Sequence, residues 1–240
     1  MSDADAADVV AVDRALARAY GWKGWVGGGD VLDGLIRTVL SQSTSDTNSH
    51  RAFESLKRRC PTWVSAARAS AAQIEDAIRS GGLARQKAAV IKAILADIER
   101  DRGEFSLEFL ADRPTDEARR YLERFKGVGP KTVACVLLFD LGRPVFPVDT
   151  HVLRVTQRLG WVPLGCDAAT AHELLGALIP PKLRYPMHMN LIAQGRAVCH
   201  PRRPACSECP ISAFCPRRGV TEGGVAEAGW KGTFPGVHCP

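Results

Sequence analysis

The sequence predicts an all-α protein, and three observations carry that expectation. Apolar residues recur at helical spacing in segment after segment, as in Leu32, Leu35, Ile36, Val39 and Leu40. Cap residues stand where such runs begin, Asp30, Ser70 and Asp149 among them. The alternating patterns that mark half-buried strands are almost absent, and there is no internal repeat.

At 240 residues the chain can bury a substantial core in one large or two modest domains. Lys and Arg number 32 against 26 Asp and Glu, with a pI near 9.0, a mildly basic balance compatible with a polyanion partner. No run approaches the ~18 uninterrupted apolar residues of a membrane span. The acidic segment Met1 to Asp8 does not resemble a signal peptide. A cytoplasmic protein with no membrane partner is expected.

Residues 1–8 read as a frayed tail ahead of a helix from Val9 to Tyr20. Gly21 to Gly29, holding Trp22 and Trp25 among glycines, reads as a linker, and Asp30 caps the periodic helix after it. The polar run Ser41-Gln42-Ser43-Thr44-Ser45-Asp46 leads into a helix carrying Phe53 and Leu56. It is either a cap-rich turn or part of a polar pocket. Ser70 and Gln73 form a capping box for a helix through Ile74 and Ile78. Leu83 follows Gly81-Gly82 and precedes the helix of Ala88, Ile91, Ile94, Leu95 and Ile98. It either tucks onto the core or acts as a wedge that enters a base stack.

Thr115 to Phe125 is the next helix, with Thr115 as N-cap, Asp116 and Glu117 in its first turn, and Ala118, Tyr121, Leu122 and Phe125 on one face. Gly127-Val128-Gly129 turns the chain into a helix from Lys131 to Leu141, with Pro130 suited to the first helical position. Asp149 caps a helix with Val152, Val155 and Leu159, and Val148 and Leu153 are placed for a hydrophobic staple. Further helices run from Asp167 to Ile179 and from Pro186 to Cys199, and residues 219–240 read as a flexible tail.

Two constellations carry chemistry. The hairpin Gly127-Val128-Gly129 opens a helix whose free N–H groups form an anion site, either for a phosphate or as plain helix packing. Lys131 stands in the first turn of that helix, where the dipole disfavours a cation and frees the amine for attack. Asp149 can supply a carboxylate to the same chemistry, or be a cap alone. The second constellation is Cys199-x6-Cys206-x2-Cys209-x5-Cys215, with prolines at 201, 204, 210 and 216 fixing the turns. Four thiolates so spaced can wrap one metal centre, either zinc or an iron–sulfur cluster. With one C-x2-C knuckle instead of two, the spacing leans toward iron–sulfur. Arg202, Arg203, Arg217 and Arg218 flank this loop, either as phosphate contacts or as solvated surface.

Gly127-Val128-Gly129-Pro130-Lys131-Thr132, then Val148-Asp149-Thr150-His151, then the four cysteines together resemble the endonuclease III family of helix–hairpin–helix DNA glycosylase/lyases. The resemblance covers roughly residues 30–216. It implies a six-helix barrel-like domain (30–143) and a helical iron–sulfur domain (9–29 plus 144–218), with the DNA cleft between them and flexible tails at 1–8 and 219–240. It places Lys131 on the catalytic lysine, Asp149 on the catalytic carboxylate and Cys199, Cys206, Cys209 and Cys215 on the ligands of one [4Fe–4S] cluster. Gly127, Val128 and Gly129 fall on a phosphate-gripping hairpin that works partly through a monovalent cation. Thr132 and His151 belong to the matched motifs and count with the DNA contacts, as do Arg202 and Arg203. Leu83 matches the loop residue that fills the space of a flipped nucleotide. Gly195-Arg196 matches a pair before the first cluster cysteine.

Two positions depart from the family pattern. Leu-Ser-Ala-Gln-Ala-Thr-Asp becomes Leu40-Ser41-Gln42-Ser43-Thr44-Ser45-Asp46, so Gln42, a candidate DNA contact, is displaced by one position, and Lys126 replaces the usual proline. The expected activity is removal of oxidised pyrimidines from duplex DNA with β-elimination at the abasic site, by a monomer. The rivals are a mismatch or uracil/thymine glycosylase, and a catalytically weak, cluster-bearing DNA-binding protein.

Overall fold

The computed structural model describes residues 3–221. Among these there is no strand, and eleven α-helices follow one another: α1 (Asp3–Tyr20), α2 (Val31–Ser41), α3 (Asp46–Arg59), α4 (Trp63–Arg68), α5 (Ala71–Ala77), α6 (Ala84–Arg102), α7 (Thr115–Glu123), α8 (Pro130–Phe139), α9 (Thr150–Leu159), α10 (Ala168–Leu178) and α11 (Arg184–Ala197). The chain divides into two compact units. One is Gly27–Arg143, and the other joins α1 to the chain from Pro144 onward.

In the unit of α2 to α8, α2 is the central helix and packs against α3, α6 and α8. Asp30 caps it by accepting the Asp33 N–H at 2.7 Å, and Leu32, Leu35, Ile36, Val39 and Leu40 are all fully buried. Each such side chain contributes about 1.5–3 kcal/mol of burial against the entropy of ordering it. Where α2 meets α8, Gly34 is obligatory, because a Cβ there would lie 2.1–2.2 Å from the Asp140 carboxyl. Asp33 fastens α3 and α4 to α2, accepting from Lys57 Nζ at 3.1 Å and from the Trp63 indole at 2.9 Å. Ser70 and Gln73 form the reciprocal capping box at the start of α5.

The second unit packs α1 and α9 against α11. Its core holds Val9, Val12, Leu16, Phe146, Val148, Val152, Val155, Leu175, Met187 and Leu191. Val148 belongs to this core and Leu153 packs against it.

Several boundaries differ from expectation. α1 begins at Asp3, not Val9. An alanine-rich start with acids ahead of the first turns favours helix both by propensity and by dipole. Pro114, not Thr115, is the cap of α7, since the first backbone bond runs from Ala118 N–H to Pro114 O. α8 starts at Pro130 and stops at Phe139, α10 spans Ala168–Leu178, and α11 runs from Arg184 to Ala197. α4 and the 3₁₀ turn Glu108–Asp112 had no sequence expectation. Residues 222–240 of the expected C-terminal tail, with Cys239, lie outside the described residues.

Candidate functional site

The hairpin is built from α7, a tight turn and α8. Val128 N–H closes the turn on Phe125 O at 3.0 Å. Gly127 has φ +87°, and a Cβ on it would stand 2.7 Å from Val90 Cγ2, so conformation and space both require glycine. Gly129 differs, with φ −89° and nothing within 4 Å of an added Cβ. Pro130 takes the first helical position of α8, and no side chain caps this helix start. The N–H groups of its first turn are therefore without a side-chain acceptor, and Lys131 stands exposed among them. Val128 and Thr132 turn inward instead, at 6% and 3% exposure. Thr132 Oγ1 accepts from Gln42 Nε2 at 3.1 Å, and the same nitrogen donates to Gly127 O at 3.4 Å. The displaced glutamine thus braces the hairpin.

Two loops beside the hairpin are held by one buried cation. Lys87 Nζ donates to Leu40 O at 2.7 Å and to Gly81 O at 2.8 Å, and burial pushes its pKa down. The loops abut, since a Cβ on Gly82 would meet Ser43 O and Thr44 Oγ1 at 4.0 Å. Ser43 (φ +52°) and Leu83 (φ +49°) both adopt the left-handed conformation. Leu83 is 53% exposed, so it does not tuck onto the core. In the polar run, Ser45 caps α3 by accepting the Asn48 N–H at 3.3 Å.

In the other unit Asp149 caps α9, its Oδ1 accepting the Val152 N–H at 2.7 Å. Arg154, four residues into α9, donates to Thr150 O, to Cys199 O at 2.9 Å and to Gly195 O at 2.8 Å, and meets His151 Nδ1 at 3.2 Å. Gly195 is glycine because a Cβ would lie 2.8 Å from His151 Cβ. The start of α9, with Asp149 and His151, is thereby tied to the first cysteine of the loop.

Cys199, Cys206, Cys209 and Cys215 line a single cavity together with Arg158, Gln194 and Ile211. Among the described residues no histidine or carboxylate lines it, so the donors on offer are four cysteine sulfurs, a set that suits either zinc or an iron–sulfur cluster. Arg158, only 5% exposed, donates to Cys199 Sγ at 3.2 Å and to His200 O and Pro201 O. Gln194 donates to Cys209 Sγ at 3.1 Å. Burial pushes the Cys209 and Cys215 thiols up, which a bound cationic metal would reverse. Arg202 and Arg203 are exposed beside the loop, as is Arg217. Arg218 instead lies over Gly160, whose added Cβ would meet its guanidinium carbon at 2.9 Å.

Sequence reasoning missed Arg154, Arg158 and Gln194. The available signal was two arginines four apart on α9 and one glutamine in an otherwise buried stretch of α11, each a polar group facing a core.

Family comparisons agree with this geometry. A model described as "HhH-GPD superfamily base excision DNA repair protein" matches residues 36–181, and one described as "Iron-sulfur binding domain of endonuclease III" matches residues 199–215. Fold and site together match the HhH-GPD superfamily of base-excision DNA repair proteins, followed by an iron–sulfur binding domain of the endonuclease III kind. The chain is 42% identical over 193 residues to an Arabidopsis thaliana protein named "Putative DNA glycosylase", covering 77% of this chain and 66% of the relative. It is 36% identical over 194 residues to endonuclease III of Thermotoga maritima, covering 78% and 85%. Arabidopsis DNA glycosylase/AP lyase ROS1 is 33% identical over 170 residues, which span 64% of this chain but 12% of that much longer protein. Two solved structures, a non-covalent endonuclease III–DNA complex and a trapped endonuclease III–DNA covalent intermediate, each give a TM-score of 0.75 at 26% identity. They cover 88% of this chain and 95% and 96% of theirs. The chain belongs to the endonuclease III family of the HhH-GPD superfamily.

Proposed function

We propose that the chain is a bifunctional DNA glycosylase/AP lyase that removes oxidised pyrimidines from duplex DNA, with one [4Fe–4S] cluster held by Cys199, Cys206, Cys209 and Cys215. The observation that carries the reading is the start of α8, where an exposed lysine stands beside first-turn N–H groups that no side chain caps. Gly129 supports it, because no described residue lies within 4 Å of an added Cβ there and the backbone is open to an approaching phosphate. A monovalent cation bound to the hairpin carbonyls would complete that grip. The printed names of ROS1, a DNA glycosylase/AP lyase, and of the trapped covalent endonuclease III intermediate support the lyase half by likeness.

The chemistry follows from the residues. A base inside the stack hides its glycosidic bond, so the nucleotide must leave the duplex. Leu83, exposed and left-handed, is the side chain available to fill the gap. The Lys131 amine attacks C1′, and the C1′–N bond breaks with its electron pair leaving on the base. Asp149, one oxygen of which accepts the Val152 N–H, is given by the family resemblance the part of stabilising the cationic sugar of the transition state. The lysine nitrogen then loses a proton, the C1′–O4′ bond breaks with O4′ taking up a proton, and the opened sugar is left as an imine at C1′. That imine acidifies the 2′ hydrogen and allows β-elimination of the 3′ phosphate. The cluster when bound would order the 199–215 loop, and the exposure of Arg202 and Arg203 on that loop supports them as phosphate contacts.

The test is strand cleavage on matched duplexes carrying thymine glycol, an abasic site, uracil or a thymine mismatch. Nicking confined to thymine glycol and abasic sites is the expected outcome. Base release from the uracil or mismatch duplex without nicking would replace this reading with a monofunctional glycosylase.

A further inference from the structure

The cavity of the four cysteines is touched by a residue chain that starts far away in sequence. α1 ends at Tyr20, and Gly21 turns the backbone away at φ +81°. Two residues one turn apart on α11 grip this end. Asn190 Nδ2 donates to Gly21 O at 3.2 Å, and Gln194 Oε1 accepts the Tyr20 hydroxyl at 2.6 Å. Both Asn190 and Gln194 are fully buried. The backbone carbonyl of Gln194 accepts the Cys199 N–H at 2.8 Å, while its Nε2 donates to Cys209 Sγ at 3.1 Å. One residue thus holds the backbone of the first cysteine and the sulfur of the third.

We infer that Tyr20 and Gln194 form a hydrogen-bond relay that sets the reduction potential of the iron–sulfur group and slows its loss. This rests on the iron–sulfur part of the proposed function and not on the lyase part. An amide has a donor end and an acceptor end. With the phenol hydroxyl on its oxygen, the NH₂ must face the sulfur. A hydrogen bond to a ligand thiolate stabilises the more negative, reduced state and so raises the potential. The phenol strengthens that bond by polarising the amide, and the buried setting keeps water from replacing it. Without the hydroxyl the amide is free to turn its carbonyl toward the thiolate, exchanging attraction for repulsion. Arg158 also donates to a cysteine sulfur, but it ties down the His200 and Pro201 carbonyls as well, so its removal would disturb the loop itself. Tyr20 reaches the sulfur through Gln194, which makes it a positioning residue with a single removable oxygen.

The experiment uses the full chain as purified, without DNA. Wild type, Tyr20→Phe, Gln194→Leu and Gln194→Glu are compared for visible absorbance per protein, for cluster midpoint potential by film voltammetry, and for bleaching rate under an iron chelator. The expected result is a negative shift of midpoint in Tyr20→Phe and a larger one in Gln194→Leu. Bleaching accelerates severalfold in the same order, and Gln194→Glu is fastest. Helicity by circular dichroism is expected to stay at the wild-type level in Tyr20→Phe. Wild-type midpoints and bleaching rates in both Tyr20→Phe and Gln194→Leu would overturn the relay. A colourless, iron-free wild type would remove the cluster reading and this inference with it, whatever the enzyme does to DNA.

Discussion

Replacing Gly127 with alanine tests whether the hairpin is shaped from within. The residue sits at φ +87°, where a Cβ costs about 1–2 kcal/mol. The same Cβ would lie 2.7 Å and 3.0 Å from the two γ carbons of Val90 on α6, adding an overpacking cost of about 1–3 kcal/mol. A loss of about 3 kcal/mol corresponds to a Tm drop of about 6–12 °C for a chain of this size. Val90→Ala removes both clashing carbons and should cost about 1 kcal/mol alone. The double variant should therefore be more stable than the sum of the two singles by about 1 kcal/mol or more, since only the left-handed penalty remains. Urea melts followed by circular dichroism give all four corners of the cycle. Strict additivity would refute the steric half of this account. Gly129→Ala is the control: with no described residue within 4 Å of the added Cβ it should leave stability within about 0.5 kcal/mol of wild type, while the proposed phosphate contact predicts weaker binding to damaged duplex.

Three further outcomes follow from the geometry. Gly195→Ala drives a Cβ to 2.8 Å from His151 Cβ, and should cost about 1–3 kcal/mol in thermal or urea unfolding. Lys87→Met leaves the Leu40 and Gly81 carbonyls without their buried donor, at about 1–3 kcal/mol for each unsatisfied group, and proteolysis should cut first in the loops at 41–45 and 81–83. The carboxyl of Asp140 is pushed up to about 7, by burial first, with Glu108, Asp30 and Asp33 adding to it and Arg37 opposing. The unfolded chain releases that proton near pH 4 while the folded chain keeps it, so the contribution of Asp140 to stability falls as pH rises from about 4 to about 7. Asp140→Asn should then match wild type near pH 4 and melt higher near pH 8, and a constant gap across that range would contradict the assignment.

The helices that sequence reasoning placed well are those with a cap and a stripe. Asp30, Ser70 and Asp149 each accept the N–H three residues on, as expected of caps, and Ser45 and Asp167, which were not named as caps, do the same. α4 was missed because six residues are too few to show a period. Leu83 was left open because sequence carries no φ; its left-handed backbone and exposure take it out of the core, and its role as a wedge belongs to the proposed function. For Gln42 the polar run showed a hydrogen-bonding residue but not its partner, which is Thr132. Arg154 and Arg158 look like ordinary surface charges of a helix, and only the fold brings the carbonyls of Cys199, His200 and Pro201 against them. The helix-start positions of Lys131 and Asp149 were legible from the proline and the cap that mark those starts.

The central claim is that the amine of Lys131 forms a covalent bond to the sugar of a damaged nucleotide. Borohydride added during reaction with a duplex carrying thymine glycol or an abasic site reduces the imine and locks protein to DNA. A stable adduct is expected with wild type, and none with Lys131→Ala, which should still bind the duplex. Wild-type protein that binds the damaged duplex but never forms the adduct would contradict the account.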